Sequence, residues 1–165
     1  MSSQPSDVGS NISVVIPLYN KAAYVGRAIS SVLAQTVLPG RVIVVDDGST
    51  DEGRDVVRRG FPTVQYVHKE NQGEGAARNT GVDIAETDWV AFLDADDFWL
   101  PNHLAELQST MSRFRSADLV STSHAEWWIG SPFPSIRVAG SAKQVDYFRA
   151  ASSNQGIVWS GVDPI

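Results

Sequence analysis

The chain contains no cysteine. Disulfides, thiolate nucleophiles and cysteine-ligated metals are therefore excluded. Its three histidines, His68, His103 and His124, form no H-x-x-x-H pair, so a zinc site is not expected. Positive charge is also short: 13 Lys and Arg stand against 19 Asp and Glu, giving a formal net charge of −6. That balance argues against nucleic acid as a partner, which needs a basic patch or stripe. A phosphorylated ligand would have to be held by local cations against the overall charge. No apolar run approaches the ~20 residues of a membrane span. The stretch 1–10 has neither a basic n-region nor an apolar h-region. A flexible leader over 1–10 and a cytoplasmic protein, with peripheral membrane contact allowed, are the expectation.

What is present is the material of a globular domain. Hydrophobic residues make up 42% of 165, enough for one core but not two. Strand and helix signals alternate. Ile12 to Pro17 is a β-branched run. Lys21 to Thr36 carries Val25, Ala28, Ile29, Val32 and Leu33 at helical spacing. Pro39-Gly40 breaks the chain before a buried strand over Val42 to Val45. Ser49 or Thr50 is placed to cap a short helix ending near Gly60. Val64 to Val67 is a weaker strand, and Gly75 to Glu86 a helix entered from a glycine-rich loop. Trp89 to Leu93 is a fourth strand. Pro101 suits the first turn of a helix running to about Arg115, and Leu119 to Thr122 is a fifth strand. Apolar strands alternating with helices predict a mostly parallel sheet covered on both faces. After Ser123 the pattern fades. Trp127, Trp128 and the prolines beside Phe133 suggest an irregular loop, and Val145 to Ala151 a short helix. The two tryptophans could line a sugar pocket or simply pack.

Polar clusters sit where the strands end. The first strand closes on Pro17-Leu18-Tyr19-Asn20, the second on Asp46-Asp47-Gly48-Ser49, the fourth on Asp94-Ala95-Asp96-Asp97. In an open parallel sheet all three fall at one edge, where ligands bind. Three carboxylates in the last cluster repel one another unless a cation is bound. Oxygen ligands suit Mg2+ or Mn2+; an acidic helix cap is the plainer reading. Tyr19 can stack on a flat base, or pack half-buried. Asp47 can accept hydrogen bonds from a base or ribose, or form an Asx turn with Gly48. Asp46 reads as structural. Asn71 to Asn79 supplies small residues at a helix start, where N–H groups favour anions, and Arg78 can pair with phosphate. The spacing is not a P-loop, and no G-x-G-x-x-G follows the first strand. His103 and His124 read as surface or packing residues.

Taken together, Ser13 to Asn20, Val44 to Asp51, Asn71 to Gly81 and Phe92 to Asp97 resemble, in order and spacing, the family 2 glycosyltransferases. The resemblance is firm from Asn11 to about Thr122 and looser beyond. It implies the GT-A fold, a Rossmann-like three-layer α/β/α sandwich with a mostly parallel central sheet. It implies a nucleotide-sugar donor, most often UDP-linked, and inversion during transfer to a carbohydrate or lipid-linked acceptor, as in cell-surface polysaccharide biosynthesis. By resemblance Pro17, Tyr19 and Asp47 hold the uridine with Asn20 beside them, and Arg78 supports the nucleotide. Asp94-Ala95-Asp96 matches the D-x-D motif, so Asp94 reaches the ribose and Asp96 binds Mn2+ or Mg2+, with Asp97 extending the metal cluster. Asp94 and Asp96 are then the catalytic residues identified. The metal would offset charge on the departing UDP.

An inverting transfer also needs a carboxylate base, which the family carries downstream in a later acidic motif. The only acids after Asp97 are Glu106, Asp118, Glu126, Asp146 and Asp163, with no Glu-Asp pair. The expectation is a single domain over 11–165, incomplete at its C-terminus. A nucleotide-sugar binding module without transfer activity is the alternative. A haloacid-dehalogenase-type phosphohydrolase is disfavoured, because Asp97-Phe98 follows the motif where that class needs Gly-Thr, and the motif lies mid-chain.

Overall fold

A computed structural model describes residues 11–115, 119–121 and, as strand backbone only, 156–159. The elements run β1 (Ile12–Leu18), α1 (Ala22–Leu33), β2 (Arg41–Asp47), α2 (Gly53–Gly60), β3 (Gln65–Lys69), α3 (Glu74–Ile84), β4 (Trp89–Phe92), α4 (His103–Arg113), β5 (Leu119–Ser121) and β6 (Gly156–Trp159). The strands form one sheet in the order β3-β2-β1-β4-β6-β5. Every pairing is parallel, with Ser13 beside Arg41 and Ile12 beside Trp89 fixing the register of the centre.

Alternation along the strands builds two cores. Ile12, Val14, Ile16 and Leu18 of β1, Val42 and Val44 of β2, and Ala91 of β4 face one side, where α1, α2 and α4 pack through Val25, Ile29, Val57, Leu104 and Leu107. Val15, Ile43, Val45, Val90 and Phe92 face the other side and meet Ala77 of α3. Strands buried on both faces explain the continuous apolar runs. Each fully buried Val, Ile or Leu contributes about 1.5–3 kcal/mol. On α1 the buried residues are Val25, Ala28, Ile29 and Val32. Leu33, expected on that stripe, is 39% exposed because it lies one residue, about 100°, past Val32.

Glycine lets α3 approach the sheet. A Cβ on Gly81 would stand 2.3 Å from Val15 Cγ1. No larger residue fits there without moving a fully buried strand side chain.

Several local expectations are corrected. Neither Ser49 nor Thr50 caps α2: Glu52 is its N-cap residue, and Asp51 accepts the Gly53 N–H at 2.9 Å. Pro101 does not open α4, which starts two residues later; its carbonyl instead accepts the Thr36 N–H at 2.8 Å. Strand β6, between β4 and β5, was not anticipated. The expected Trp127-Trp128 loop and the helix over Val145 to Ala151 lie outside the described residues. Among the described residues no helix is long and apolar enough to cross a membrane.

Candidate functional site

Strand order reverses between β1 and β4: the chain moves outward through β2 and β3, then returns to β1's other side. Such a switch point leaves a crevice beyond the carboxyl ends of the strands. Here it is a cleft of about 500 Å³, a size suited to a small ligand. Pro17, Leu18 and Tyr19 form one wall from the end of β1. Asp94, Ala95 and Asp96 form another from the loop after β4. Asp47, Asn71, Gly73, Glu74 and Ala77 close the third side at the start of α3.

The acidic loop is held by its neighbours. The Asp97 N–H donates to Asp94 O at 3.0 Å, closing a tight turn. Arg27 Nη2 donates to Asp96 O at 2.6 Å, and the Trp99 N–H to Ser31 Oγ at 3.0 Å. Buried Gln35 braces the exit, donating to Ser31 O and Leu100 O and accepting the Leu104 N–H at 2.9 Å. The backbone is fixed, which leaves the Asp94 and Asp96 carboxylates at the cleft.

Each of those carboxylates has its own cation. Lys21 Nζ lies 2.5 Å from Asp96 Oδ2, with side chains 42% and 45% exposed. The hydrogen bond to Asp96 raises the Lys21 ammonium above its ordinary range, against a smaller opposing effect of burial. Arg78 Nη2 bridges Glu74 Oε1 at 2.6 Å and Asp94 Oδ1 at 2.8 Å. Its Nε is buried and has no hydrogen-bond partner among the described residues. Arg78 is the fifth residue of α3, one turn in, which puts it at i+4 from Glu74.

Asp47 is the most enclosed acid of the cleft, at 2% exposure. Its Oδ1 accepts from Lys69 Nζ at 2.6 Å and its Oδ2 from the Gly73 N–H at 2.7 Å, with the Gln72 N–H shared between them. Burial pushes this carboxyl up, but the bond from Lys69 and the two backbone bonds outweigh it and hold it low. Asp47 therefore fixes the glycine turn that starts α3. Part of the anion-binding backbone there is already filled by this side chain. The Asx turn raised as the alternative for Asp47 is made instead by Asp46, whose Oδ1 accepts the Ser49 N–H at 2.7 Å. Asp46 is structural: it is buried and also accepts from the Tyr66 hydroxyl. Burial, then that bond, pushes the Tyr66 phenol up. Gly48 turns the chain here at φ +80°, and a Cβ would stand 2.9 Å from Asn71 N.

The cleft thus gathers Pro17, Tyr19, Asp47, Asp94 and Asp96 directly, with Arg78 behind Asp94. Asn20 is not on its lining. At φ 50°, its side-chain Oδ1 accepts the Thr50 N–H at 2.8 Å, and its own N–H donates to Ser49 Oγ. It ties the ends of β1 and β2 together. Asp97 does not line the cleft either. Of the acids after Asp97, Glu106 alone is described; it sits in the first turn of α4, off the cleft lining. The sequence reading missed Lys21 and Lys69. Lys21 directly follows Tyr19-Asn20 at the same sheet edge, and that adjacency was the available signal.

A divalent cation fits this donor set. The Asp94 and Asp96 carboxylates supply oxygen donors, and Mg2+ typically takes one or two carboxylates plus substrate phosphates and water. Among the described residues no group of three acidic or histidine side chains is placed to hold a metal by itself.

The sequence model for Glycosyl transferase family 2 matches residues 13–131. The chain belongs to this family. A glycosyltransferase of Nostoc sp. is 44% identical over 117 residues, covering 68% of this chain and 35% of that protein. The glycosyltransferase YibD of Escherichia coli is 31% identical, covering 93% and 48%. The succinoglycan biosynthesis protein ExoW of Rhizobium meliloti is 40% identical, covering 64% and 35%. Among solved structures, S. aureus TarS 1-349 aligns with TM-score 0.63 and 27% identity over 74% of this chain and 38% of that one. Its complex with UDP-GlcNAc aligns with TM-score 0.60 and 26% identity over 76% and 37%. The expected GT-A arrangement is thereby met. The chain spans between about a third and a half of the length of these three curated relatives.

Proposed function

We infer that this cleft binds a nucleotide-sugar donor, UDP-linked, and that the protein transfers the sugar to an acceptor hydroxyl with inversion. The observation that carries this is the placement of Asp94 and Asp96 across the switch-point cleft from Pro17 and Tyr19. Family membership supports it, as does the likeness to a structure holding UDP-GlcNAc.

The residues divide the work by chemistry. Tyr19, 48% exposed at the cleft mouth, offers a ring face to the uracil, and Pro17 supplies a rigid floor. Asp47 holds the turn at 71–73 against the base. Arg78, with its unpartnered Nε, keeps Asp94 oriented and places positive charge beside the diphosphate. Asp94 and Asp96 would hold Mn2+ or Mg2+, which when bound stabilises charge on the leaving UDP. Asp97, off the lining, would act by closing the turn that aims the other two.

The acceptor proton needs a carboxylate. Asp47, Glu74, Asp94 and Asp96 line the cleft and each is paired with a lysine or arginine. The base is accordingly assigned outside the described residues. A donor-binding module without transfer activity is the second reading, favoured by that pairing alone. The acceptor is proposed as a carbohydrate or lipid-linked sugar, in keeping with the similarity to ExoW, a succinoglycan biosynthesis protein. A cytoplasmic setting with peripheral membrane contact suits such an acceptor.

Calorimetry with UDP, with and without Mn2+, tests the reading. Metal-dependent UDP binding that Asp96→Ala abolishes is expected. Affinity within a few-fold in Asp96→Ala would remove the metal assignment, and no UDP binding at all would remove the donor assignment. Turnover of a UDP-sugar into acceptor, against binding alone, separates transferase from binding module.

A further inference from the structure

Lys21 stands where a bound metal would compete with it. Its ammonium is 2.5 Å from the Asp96 oxygen, and the lysine itself lines the cleft. The pair is open to solvent: both side chains are more than two-fifths exposed. An exposed ion pair of this kind adds little to stability, so exchange is cheap. The contrast is Lys69 on Asp47, with side chains 16% and 3% exposed, which is built in.

We propose that Lys21 is a placeholder counter-ion: it neutralises Asp96 in the donor-free cleft, yields that carboxylate to the divalent cation, and passes its ammonium to the donor diphosphate. This rests on reading the cleft as a donor and metal site. A dication arriving alone must displace Lys21 and then sit beside the freed ammonium, a like-charge contact. A dication arriving with a diphosphate brings anionic oxygens that take up both cations. Lys21 thus discourages metal without donor and rewards the two together. By linkage, the donor is equally favoured by metal.

The test measures free Mn2+ by electron paramagnetic resonance, with and without saturating UDP, in the wild-type chain, Lys21→Met, Lys21→Gln, Lys21→Arg and Arg41→Met. Metal-bound phosphate oxygens couple the ligands even without Lys21, so the expected result is a reduction in coupling. Lys21→Met and Lys21→Gln should bind Mn2+ alone about 3–10-fold more tightly than wild type, and the gain on adding UDP should shrink by a similar factor, within the usual range of coupling. Lys21→Arg should behave like wild type. Arg41→Met, which removes an exposed cation paired with Glu86 at the opposite end of β2 from Asp47, should leave Mn2+ affinity without UDP within about twofold. Unchanged Mn2+ affinity in both neutral variants would overturn the proposal. So would an equal loss with and without UDP, the mark of a structural role. An equal gain in Arg41→Met would reduce the effect to the overall charge of the chain and overturn it too. If the wild-type chain binds no UDP in the presence of Mn2+, the donor reading itself fails, and the proposal falls with it by a distinguishable route.

Discussion

Tyr19 is the residue whose role at the cleft depends least on the rest of the fold. It is 48% exposed, so replacing it disturbs little packing. Stacking on a base is worth about 1–3 kcal/mol. Tyr19→Ala should therefore weaken UDP binding roughly 5–150-fold by that figure. Mn2+ affinity without UDP should not change; equal loss of both would indicate a folding defect. Residues at strand ends were legible because topology alone sends them to one edge. Pro17, Tyr19, Asp47, Asp94 and Asp96 all reach the cleft by that route. Asn20 shares the same edge but turns at φ 50° toward Thr50. A one-residue change in backbone conformation is invisible in a motif. Lys21 was missed for the opposite reason: its partner, Asp96, is remote in sequence.

At the scale of the element, the contact of α3 with β1 is the tightest constraint. Alanine would favour the helix by about 1 kcal/mol over glycine. A Cβ at Gly81, however, would meet the buried Val15 at 2.3 Å. Overpacking of that kind costs about 1–3 kcal/mol, so the steric effect wins. Gly81→Ala should lower the urea midpoint with the m-value unchanged. A midpoint at or above wild type would mean that α3 has room to move.

Helix α4 carries a second consequence. His103, its first residue, stacks on Trp99 with ring centroids 4.3 Å apart, and its Nε2 is buried without a hydrogen bond among the described residues. Burial pushes the imidazole down to about 4. The unfolded chain takes up that proton near the ordinary histidine value of about 6.5. Stability should therefore fall as pH drops from about 6.5 to about 4, by up to a few kcal/mol. His103→Phe keeps the stack and should remove that part of the fall in denaturation curves taken across the window. Parallel pH dependence in the two proteins would show that another group governs it.

Most elements were legible from hydrophobic period, because β1, β2 and β4 are buried on both faces and read as unbroken apolar runs. The helix starts were less so. Asp51, not Ser49 or Thr50, takes the Gly53 N–H, and all three residue types cap well. Strand β6 depends on pairing with β4, which precedes it by many residues. Ile157-Val158-Trp159 favours a strand, but three residues between Gly156 and Ser160-Gly161 make too short a run to read as one.

At the scale of the whole molecule, the central claim is that one crevice holds both halves of the donor. Strand order brings the β1 end and the acidic loop after β4 side by side, and the cleft lies between them. The sequence could anticipate the edge but not the inventory of charges around it. Four carboxylates line the cleft while Lys21, Lys69 and Arg78 partner them. Under the proposed function, that near-balance would let a diphosphate and its dication enter together.

The most direct measurement is a crystal structure of the chain with UDP and Mn2+, with anomalous scattering recorded at the manganese edge. The predicted result is a single strong peak about 2.0–2.3 Å from carboxylate oxygens of Asp96 or Asp94 and from diphosphate oxygens, with the uracil against Tyr19. A manganese peak away from both aspartates, or a uracil bound outside the β1–β4 crevice, would contradict it.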